Sequence, residues 1–303
     1  MKSKLIHIAL FLTTALTTFY AGYLLFGEVL DGLLFSSSLL LILGTHELGH
    51  YHFGKKNGVD ITPPYFIPVP ALPDFPTIGT FGAFIRIRSP IYTKRALFDI
   101  GIAGPLMGIL MAVPVIAIGL RLSSVVVNPP DAEGGLLFGA PIFYTLLEMV
   151  FLSDVPKGSE VIWHPMAFAG WIGFLVTALN LIPAGQLDGG HIMYALFTKQ
   201  WHRRISAAIV VVLIVLGVGT KPFVELAGLV WPESPLAQYA GPLLFGGWPG
   251  WVLWAFLLSV LGRKHPPTIY DTIPLDRKRK MLGIVGLVVF LGCFTPVPVS
   301  LIP

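Results

Sequence analysis

Charged residues are scarce in this chain of 303 residues, and their scarcity excludes an ordinary soluble protein. Asp, Glu, Lys and Arg together make up 12% of the sequence, whereas soluble domains carry about 25%. Hydrophobic residues make up 54%, and the mean hydropathy is +0.77. The charge deficit is too large for a globular core, so the composition predicts a membrane protein.

Cysteine is also nearly absent, which removes two further classes of structure. Cys293 is the single cysteine, so an internal disulfide framework and a cysteine-based zinc site are both excluded. The net charge of +4 is modest, and no basic patch is interleaved with aromatic residues. We therefore expect the lipid bilayer, and no nucleic acid, among the partners of this chain.

Long apolar runs divide the chain into about seven candidate membrane spans. A spanning helix needs about 17–25 predominantly apolar residues, and runs near that length recur along the sequence. We therefore expect an all-α polytopic membrane protein with about seven transmembrane helices. Their predicted positions are residues 5–26, 30–51, 97–120, 166–184, 205–220, 241–261 and 281–299.

Lysine and arginine predict the orientation of these spans, because positively charged loops stay cytoplasmic. They concentrate before the first span, in the loop 54–95, near residues 199–204 and within residues 263–280. The loops between them carry mainly acidic residues. The N-terminus is thus predicted to be cytoplasmic, and the long Pro/Gly-rich loop 122–163 is predicted to lie outside.

The sequence His46-Glu47-Leu48-Gly49-His50 lies at the end of the second apolar run. Two histidines four positions apart lie on one face of a helix, so both imidazoles can reach one Zn²⁺, and Glu47 can take a proton from water. An HExxH pattern alone is weak, but ionisable residues at membrane depth are costly and functional by default. The predicted topology, which does not use the motif, places it near the cytoplasmic side.

A hydrolytic zinc site needs three protein ligands and one open position, so a third ligand must come from elsewhere in the chain. Asp188 is the best candidate, because it belongs to a helix-breaking segment, residues 183–190, in or beside the fourth span. Irregular backbone at that depth must be buried or line a wet cavity, and an aspartate there must be paired or bound to metal. The alternative is that Asp188 only caps a helix.

The inner loop contains a segment that cannot be helical, followed by a strand-like one. Residues 62–70 hold four prolines, which remove hydrogen-bond donors and favour extended backbone before them. Residues 78–88 alternate apolar residues with small or charged ones, as a strand or hairpin does. We expect a small membrane-associated β-hairpin here, which either binds substrate or only covers the helical bundle.

Three motifs occur together in this chain, namely HELGH in the second span, Ala103-Gly104-Pro105 in the third, and Asn180-x-x-Pro183-x-x-x-Leu187-Asp188-Gly189-Gly190 in the fourth. Their combination resembles the site-2 protease family of intramembrane zinc metalloproteases. The combination covers about residues 30–200 and is far more specific than any single element. The proline-rich segment, the hairpin and residues 265–267 resemble the prokaryotic and plastid-type branch, and no segment is long and polar enough for a PDZ insertion.

The resemblance implies a reaction, a cofactor and a set of site residues. The reaction is hydrolysis of peptide bonds in or near transmembrane segments of membrane-anchored substrates. The cofactor is one Zn²⁺ per chain, bound by His46, His50 and Asp188. Glu47 is the implied catalytic base, and Asn180 holds the substrate peptide or its oxyanion. An unwound transmembrane protein substrate would pair with the strand-like stretch through Gly79, Thr80, Phe81, Gly82 and Ala83.

Three regions follow from the spans and motifs. Residues 1–29 are expected to form an N-terminal transmembrane anchor, residues 30–200 an intramembrane metalloprotease core, and residues 201–303 C-terminal transmembrane helices without a regulatory domain. A transporter is the first alternative, since broken helices with an intramembrane aspartate also suit ion coupling, but matched halves are missing. An inactive helix-binding relative is the second, and the intact Glu47 argues against it.

Other residues of the apolar spans have less specific roles. Asp99 in the third span is expected to bond to a neighbouring helix rather than to the zinc site. The small residues of Ala103-Gly104-Pro105, together with Gly101 and Gly108, indicate close helix packing rather than chemistry. His202 lies at the end of a span, and the sequence identifies no partner for it.

Overall fold

The protein is represented by a computed structural model that describes residues 2–72, 77–127, 135–152, 155–156, 158–219, 247–261, 268–270 and 274–301. This described part is mostly helical. Residues 241–246, which begin the sixth predicted span, and residues 265–267 lie outside it. The helices within it are α1 (Lys2–Phe26), α2 (Val29–Lys56), α3 (Lys94–Leu122), α4 (Ile142–Phe151), α5 (Pro165–Leu181), α6 (Asp188–Leu196), α7 (Lys199–Val218), α8 (Gly250–Leu261) and α9 (Arg277–Cys293).

Four of the described helices are long and apolar enough to cross a membrane, rather than the seven expected. They are α1 from Lys4, α2, α3 and α7, whereas α4, α5 and α8 are shorter apolar helices. The fourth predicted span, 166–184, ends early at Leu181, because Ile182 precedes a proline and leaves the helical region. The seventh, 281–299, ends at Cys293, and a proline-containing segment then leads into a strand.

The six strands within the described ranges form three two-stranded antiparallel sheets. β1 (Tyr65–Pro68) pairs with β2 (Thr80–Phe84), with Phe66 opposite Ala83. Residues 78–88 therefore do not form a hairpin by themselves, because the proline-rich segment supplies the second strand. The remaining pairs join β3 (Ser124–Val127) to β5 (Ser159–Ile162), and β4 (Leu136–Phe138) to β6 (Val299–Leu301).

The core lies between α2, α3 and α5, which pack against one another, while α1 packs on the outer face of α2. Apolar side chains fill this core, yet many large apolar side chains of α1 and α2 remain exposed, as Leu16 at 68% and Leu48 at 52% show. Exposed apolar surface on this scale is what a lipid-facing helix presents. Fully buried core residues include Phe35, Leu39, Leu97, Phe98, Ile116 and Phe174.

A charged clamp attaches α9 to α3. The Arg279 guanidinium donates to both carboxylate oxygens of Asp99, over Nε–Oδ1 and Nη2–Oδ2 distances of 2.8 and 2.7 Å. Arg279 also contacts the carboxylate of Asp276, which caps the start of α9 by accepting from the Arg279 backbone N–H. A paired, bidentate carboxylate can lie within an apolar span at low cost. Asp99 thus bonds to a neighbouring helix, as the sequence predicts.

Candidate metal centre

The last turns of α2 bring the two histidines of the HExxH sequence together. His46 and His50 are both buried, at 4% and 5% exposure, and their Nε2 atoms lie 3.0 Å apart. They share a helix face because four residues complete slightly more than one helical turn. Their ring nitrogens therefore point toward the same location beside α3.

Asp188 reaches the same location from the first position of α6. Its Oδ2 atom lies 3.3 Å from the His46 Nε2 atom and 3.2 Å from the His50 Nε2 atom. The two glycines that follow it allow α6 to fold back on the end of α5. A Cβ atom on Gly189 would lie 2.1 Å from the Leu181 carbonyl oxygen, and one on Gly190 would lie 2.4 Å from that of Gly185.

The spacing of these three atoms fits a zinc ion. Ligands placed about 2.0–2.1 Å from a tetrahedral zinc are separated by about 3.3 Å, and the three distances between the His46, His50 and Asp188 atoms are 3.0, 3.2 and 3.3 Å. In the described part of the chain, this is the one group of three or more His, Cys, Asp or Glu side chains close enough to hold a metal ion.

The hydrogen bonding of His50 supports the same assignment. Its Nδ1 atom lies 2.7 Å from the Ile100 carbonyl oxygen. A carbonyl oxygen only accepts, so Nδ1 carries the hydrogen and the Nε2 atom of the neutral ring presents a lone pair. A metal cation between the two imidazole nitrogens and the carboxylate oxygen would be bound by a lone pair of each.

Glycines of α3 make room for the two imidazole rings. A Cβ atom on Gly104 would lie 2.1 Å from the His50 Nε2 atom, and one on Gly108 would lie 3.2 Å from the His46 Nδ1 atom. On α2, a Cβ atom on Gly49 would lie 2.7 Å from the Ala103 carbonyl oxygen. The close packing that the sequence predicts for this part of α3 therefore occurs directly against the metal-ligand candidates.

Two residues of α7 hold the segment that carries Asp188, and the sequence did not reveal their role. Gly185 has a φ of +61°, its N–H donates to the Ser206 hydroxyl at 3.2 Å, and its carbonyl accepts from the His202 Nε2 atom at 3.1 Å. His202 and Ser206 are buried and lie four positions apart on one helix face. Their spacing in an otherwise apolar helix was the signal available in the sequence.

We expect His202→Leu to weaken zinc binding about 10-fold, the lower end of the range for losing a supporting hydrogen bond at a metal site. The Gly185 carbonyl would lose its buried donor, and the Asp188 segment would shift. Zinc affinity is measured by competition with a chelating dye. His52→Leu, at an exposed position of α2, is the matched control, and His202→Gln should restore part of the affinity. Unchanged affinity in His202→Leu would contradict this positioning role.

A cavity of about 420 Å³ is lined by His46, one of the three ligand candidates. Glu47 lies on its wall and is 7% exposed. Asn180 lies there as well, with its Nδ2 atom 3.4 Å from the His46 Nε2 atom. The structure thus brings together both residues that the sequence suggests for catalysis. Four of the five residues expected to contact substrate line the same cavity: Thr80, Phe81, Gly82 and Ala83.

Gly79, the fifth of those residues, lies against α1 instead. Its carbonyl accepts from the Thr17 hydroxyl at 2.7 Å, and a Cβ atom on it would lie 2.5 Å from the Thr17 carbonyl oxygen. The β1 side of the sheet is also attached to α1, because the His7 Nδ1 atom lies 2.9 Å from the Pro64 carbonyl oxygen. The first helix therefore positions the sheet beside the cavity, which an anchor alone would not do.

Comparison with known proteins identifies the family. The profile of peptidase family M50 matches residues 34–220. The chain belongs to this family. M50 is the family of the site-2 proteases, which are membrane zinc metalloproteases, so the resemblance that the motifs suggest is confirmed. Its cofactor is zinc, for which His46, His50 and Asp188 supply a fitting ligand set.

Relatives with this family's chemistry occur among chloroplast proteins. Probable zinc metalloprotease EGY2, chloroplastic, of Arabidopsis thaliana is 30% identical over 274 residues, which are 88% of this chain and 42% of the relative. Probable zinc metalloprotease EGY1, chloroplastic, of the same plant is 30% identical over 268 residues, 86% of this chain and 42% of the relative. The chain thus spans less than half the length of these M50 relatives. No solved structure matches it.

Proposed function

We propose that this M50 protein hydrolyses peptide bonds in or near the transmembrane segments of membrane-anchored proteins. One observation carries the proposal. A single cavity, set among helices long enough to cross a membrane, is lined by His46, by the carboxylate residue Glu47 and by the strand β2. A soluble protease has no need to bury this combination among lipid-facing helices.

The proposed roles follow from the chemistry of each side chain. His46, His50 and Asp188 hold zinc, which when bound polarises the scissile carbonyl and makes water more acidic. Glu47 accepts a proton as the water oxygen bonds to the carbonyl carbon. It then delivers that proton to the amine nitrogen as the C–N bond breaks. The burial of Glu47 supports this role, because bulk water is excluded from the proton transfer.

Asn180 is proposed to bind the substrate carbonyl. Its amide nitrogen can donate, and it lies 3.4 Å from the Nε2 atom of a ligand histidine, on the wall of the cavity. A fixed donor near the reacting carbon stabilises the negative charge that develops on the carbonyl oxygen. The alternative is that the amide only bonds between helices.

The strand β2 is proposed to hold the substrate in an extended form. A transmembrane helix hides its carbonyls in internal hydrogen bonds, so cleavage requires local unwinding. One edge of β2 pairs with β1, and in the described part of the chain the other edge has no partner strand. An unwound peptide can add to such an edge. Phe81, which is 79% exposed, lies in this strand beside the cavity.

We further propose that the metal centre lies near the cytoplasmic side and that the N-terminus is cytoplasmic. Basic residues support this orientation, because they occur at the end of α2 that carries His50, at the start of α3, and at the start of α9. We retain the three proposed regions, namely an N-terminal helix over 1–29, a protease core over 30–200 and C-terminal helices over 201–303.

Removal of zinc tests the proposed function. In liposomes containing the protein and a single-span reporter, we expect one zinc per chain. A chelator should reduce cleavage to background, and one equivalent of Zn²⁺ should restore it while Mg²⁺ should not. Membrane proteomes of cells with the wild type or Glu47→Ala would identify natural substrates as uncleaved precursors. Cleavage that persists in zinc-free protein would contradict the proposal.

A further inference from the structure

A second cavity of about 600 Å³ lies toward the opposite end of α5 from the metal centre. We call it the aromatic–acidic cavity, because its walls combine aromatic rings with two carboxylate side chains. It contacts the start of α5 at Phe168, whereas Asn180 lies near the end of that helix. The residues that define it here are Phe26, Phe138, Glu148, Glu160, Trp163 and Phe168.

The two carboxylates of this cavity have no positively charged partner among the residues that the structure describes. Within the described ranges, neither Glu148 nor Glu160 forms an ion pair or a hydrogen bond through its side chain. Glu148 is half-buried, and this burial raises its pKa, as expected for a carboxylate that is removed from water without a compensating charge. A cation in the cavity would supply that charge.

A buried hydroxyl group also lies at this end of the bundle. Tyr144 is completely buried, and its hydroxyl has no hydrogen-bond partner in the part of the chain that the structure describes. Its ring packs on Trp163 with a centroid distance of 4.9 Å. Burial, and in addition the nearby Glu148, raise the pKa of this hydroxyl. Tyr144 does not itself line the cavity, but its hydroxyl adds to the polar groups at this end of the bundle that have no partner among the described residues.

The aromatic walls favour the same kind of ligand. Phe138 is the centre of the cluster, with its ring centroid 5.1 Å from that of Phe168 and 5.8 Å from that of Trp163. The faces of aromatic rings attract cations, and their apolar surface accommodates the methylene stem of a lysine or arginine side chain. An anion or a neutral polar group would leave both carboxylates unpaired.

The aromatic–acidic cavity adjoins the cavity of about 420 Å³ that Glu47 and Asn180 line. Phe138 and Phe168 line both cavities. Along α5, the 12 positions from Phe168 to Asn180 correspond to about 18 Å at 1.5 Å per residue. A transmembrane segment that lies along α5 can therefore contact both cavities at once, with its reacting bond near Asn180.

We propose that the aromatic–acidic cavity binds a lysine or arginine side chain of the substrate, at the end of its transmembrane segment away from the scissile bond. This proposal rests on the proposed function, because it names a recognition feature of the same substrate. In a substrate that stays helical between the two cavities, the basic residue lies about 12 residues from the scissile bond.

The test uses the full chain carrying Glu47→Gln, in liposomes, so that binding is measured without cleavage. The probes are two fluorescent single-span peptides of leucine and alanine that differ only in one terminal residue, lysine or glutamine. We expect the lysine peptide to bind about 10-fold more tightly, a gain of the size that a cation gains from aromatic and carboxylate contacts together. Adding Glu148→Gln and Glu160→Gln should reduce this preference to within about twofold.

Glu28→Gln is the matched control, because Glu28 is an exposed carboxylate just after α1 that does not line the cavity. It should leave the preference unchanged. Thermal unfolding verifies that each variant is folded, and Glu148→Lys with Glu160→Lys should shift the preference toward a glutamate-terminated peptide. A lysine preference that is absent from the parent protein, or that survives the double glutamine variant, would overturn the proposal.

Two further outcomes are informative. One distinguishes binding by the cavity from an effect of the lipid, and the other distinguishes the cation site from the proposed protease function. Loss of the lysine preference when liposomes of phosphatidylcholine alone replace liposomes with anionic lipid would mean that the anionic headgroups, and not the cavity, attract the lysine, and it would overturn the proposal. A lysine preference in a protein whose wild-type form cleaves no single-span substrate would overturn the proposed function and support the cation site. Each failure therefore has a distinct signature.

Discussion

Glu47→Gln should lower the cleavage of a single-span substrate by about 10²-fold or more, the usual scale for losing a positioned general base. The amide keeps the size of the side chain but cannot accept the proton from water. His46, His50 and Asp188 are unchanged, so the zinc content should stay at one per chain and the thermal stability should stay near that of the wild type. Cleavage rates in liposomes and elemental analysis measure the two effects.

The zinc measurement is what separates catalysis from folding in this variant. Asp188→Ala serves as the contrasting change, because it removes a ligand and should lower zinc occupancy together with activity. Near-normal proteolysis by Glu47→Gln would contradict its assignment as the base. Full zinc content in Asp188→Ala would contradict the ligand assignment.

Gly104→Ala should abolish stoichiometric zinc binding and proteolysis, although it alters no proposed ligand. The added Cβ atom would lie 2.1 Å from the His50 Nε2 atom and 2.4 Å from its Cε1 atom. The ring cannot keep its position against this atom. If it moves aside, its Nδ1 atom loses the hydrogen bond to the carbonyl of Ile100, which lies on α3 together with Gly104. We expect zinc occupancy as low as in Asp188→Ala, measured by elemental analysis of purified protein.

Gly44→Ala is the matched control for that substitution. It introduces the same methyl group into α2, where the nearest atom would be the Phe66 Cζ atom at 3.8 Å, an ordinary contact. Alanine also favours a helix over glycine, so this variant should bind zinc normally and be at least as stable as the wild type. Equal zinc content in the two variants would show that the close approach at Gly104 is not required.

The metal centre was predictable because its parts follow local rules. The helical period places His46 and His50 on one face, and the cost of an unpaired aspartate at membrane depth identifies Asp188. The support of the centre was not predictable in the same way. That Gly104 accommodates the His50 ring, and that His202 binds the Gly185 carbonyl, depends on contacts between helices that the sequence does not encode at any fixed spacing.

For the membrane spans and the sheet, too, one part could be predicted from the sequence and another part could not. Hydropathy finds apolar composition and not helix ends, so the seventh expected span extended past Cys293 into a segment where prolines stop the helix. The alternating pattern identified β2 correctly as extended, but its partner β1 lies in the proline-rich segment. Pairing between strands joined by a long loop cannot be read from periodicity, because that signal is confined to each strand.

The dispersal of the metal centre over the chain has a consequence for biosynthesis. His46 belongs to α2, the carbonyl that orients His50 to α3, and the carboxylate of Asp188 to α6. The side chains that hold the Asp188 segment follow on α7, up to Ser206. A nascent chain therefore cannot complete this candidate zinc site until Ser206 has left the ribosome and α7 has joined the bundle. We therefore expect zinc to bind late in biosynthesis, after the helices α2 to α7 have been inserted.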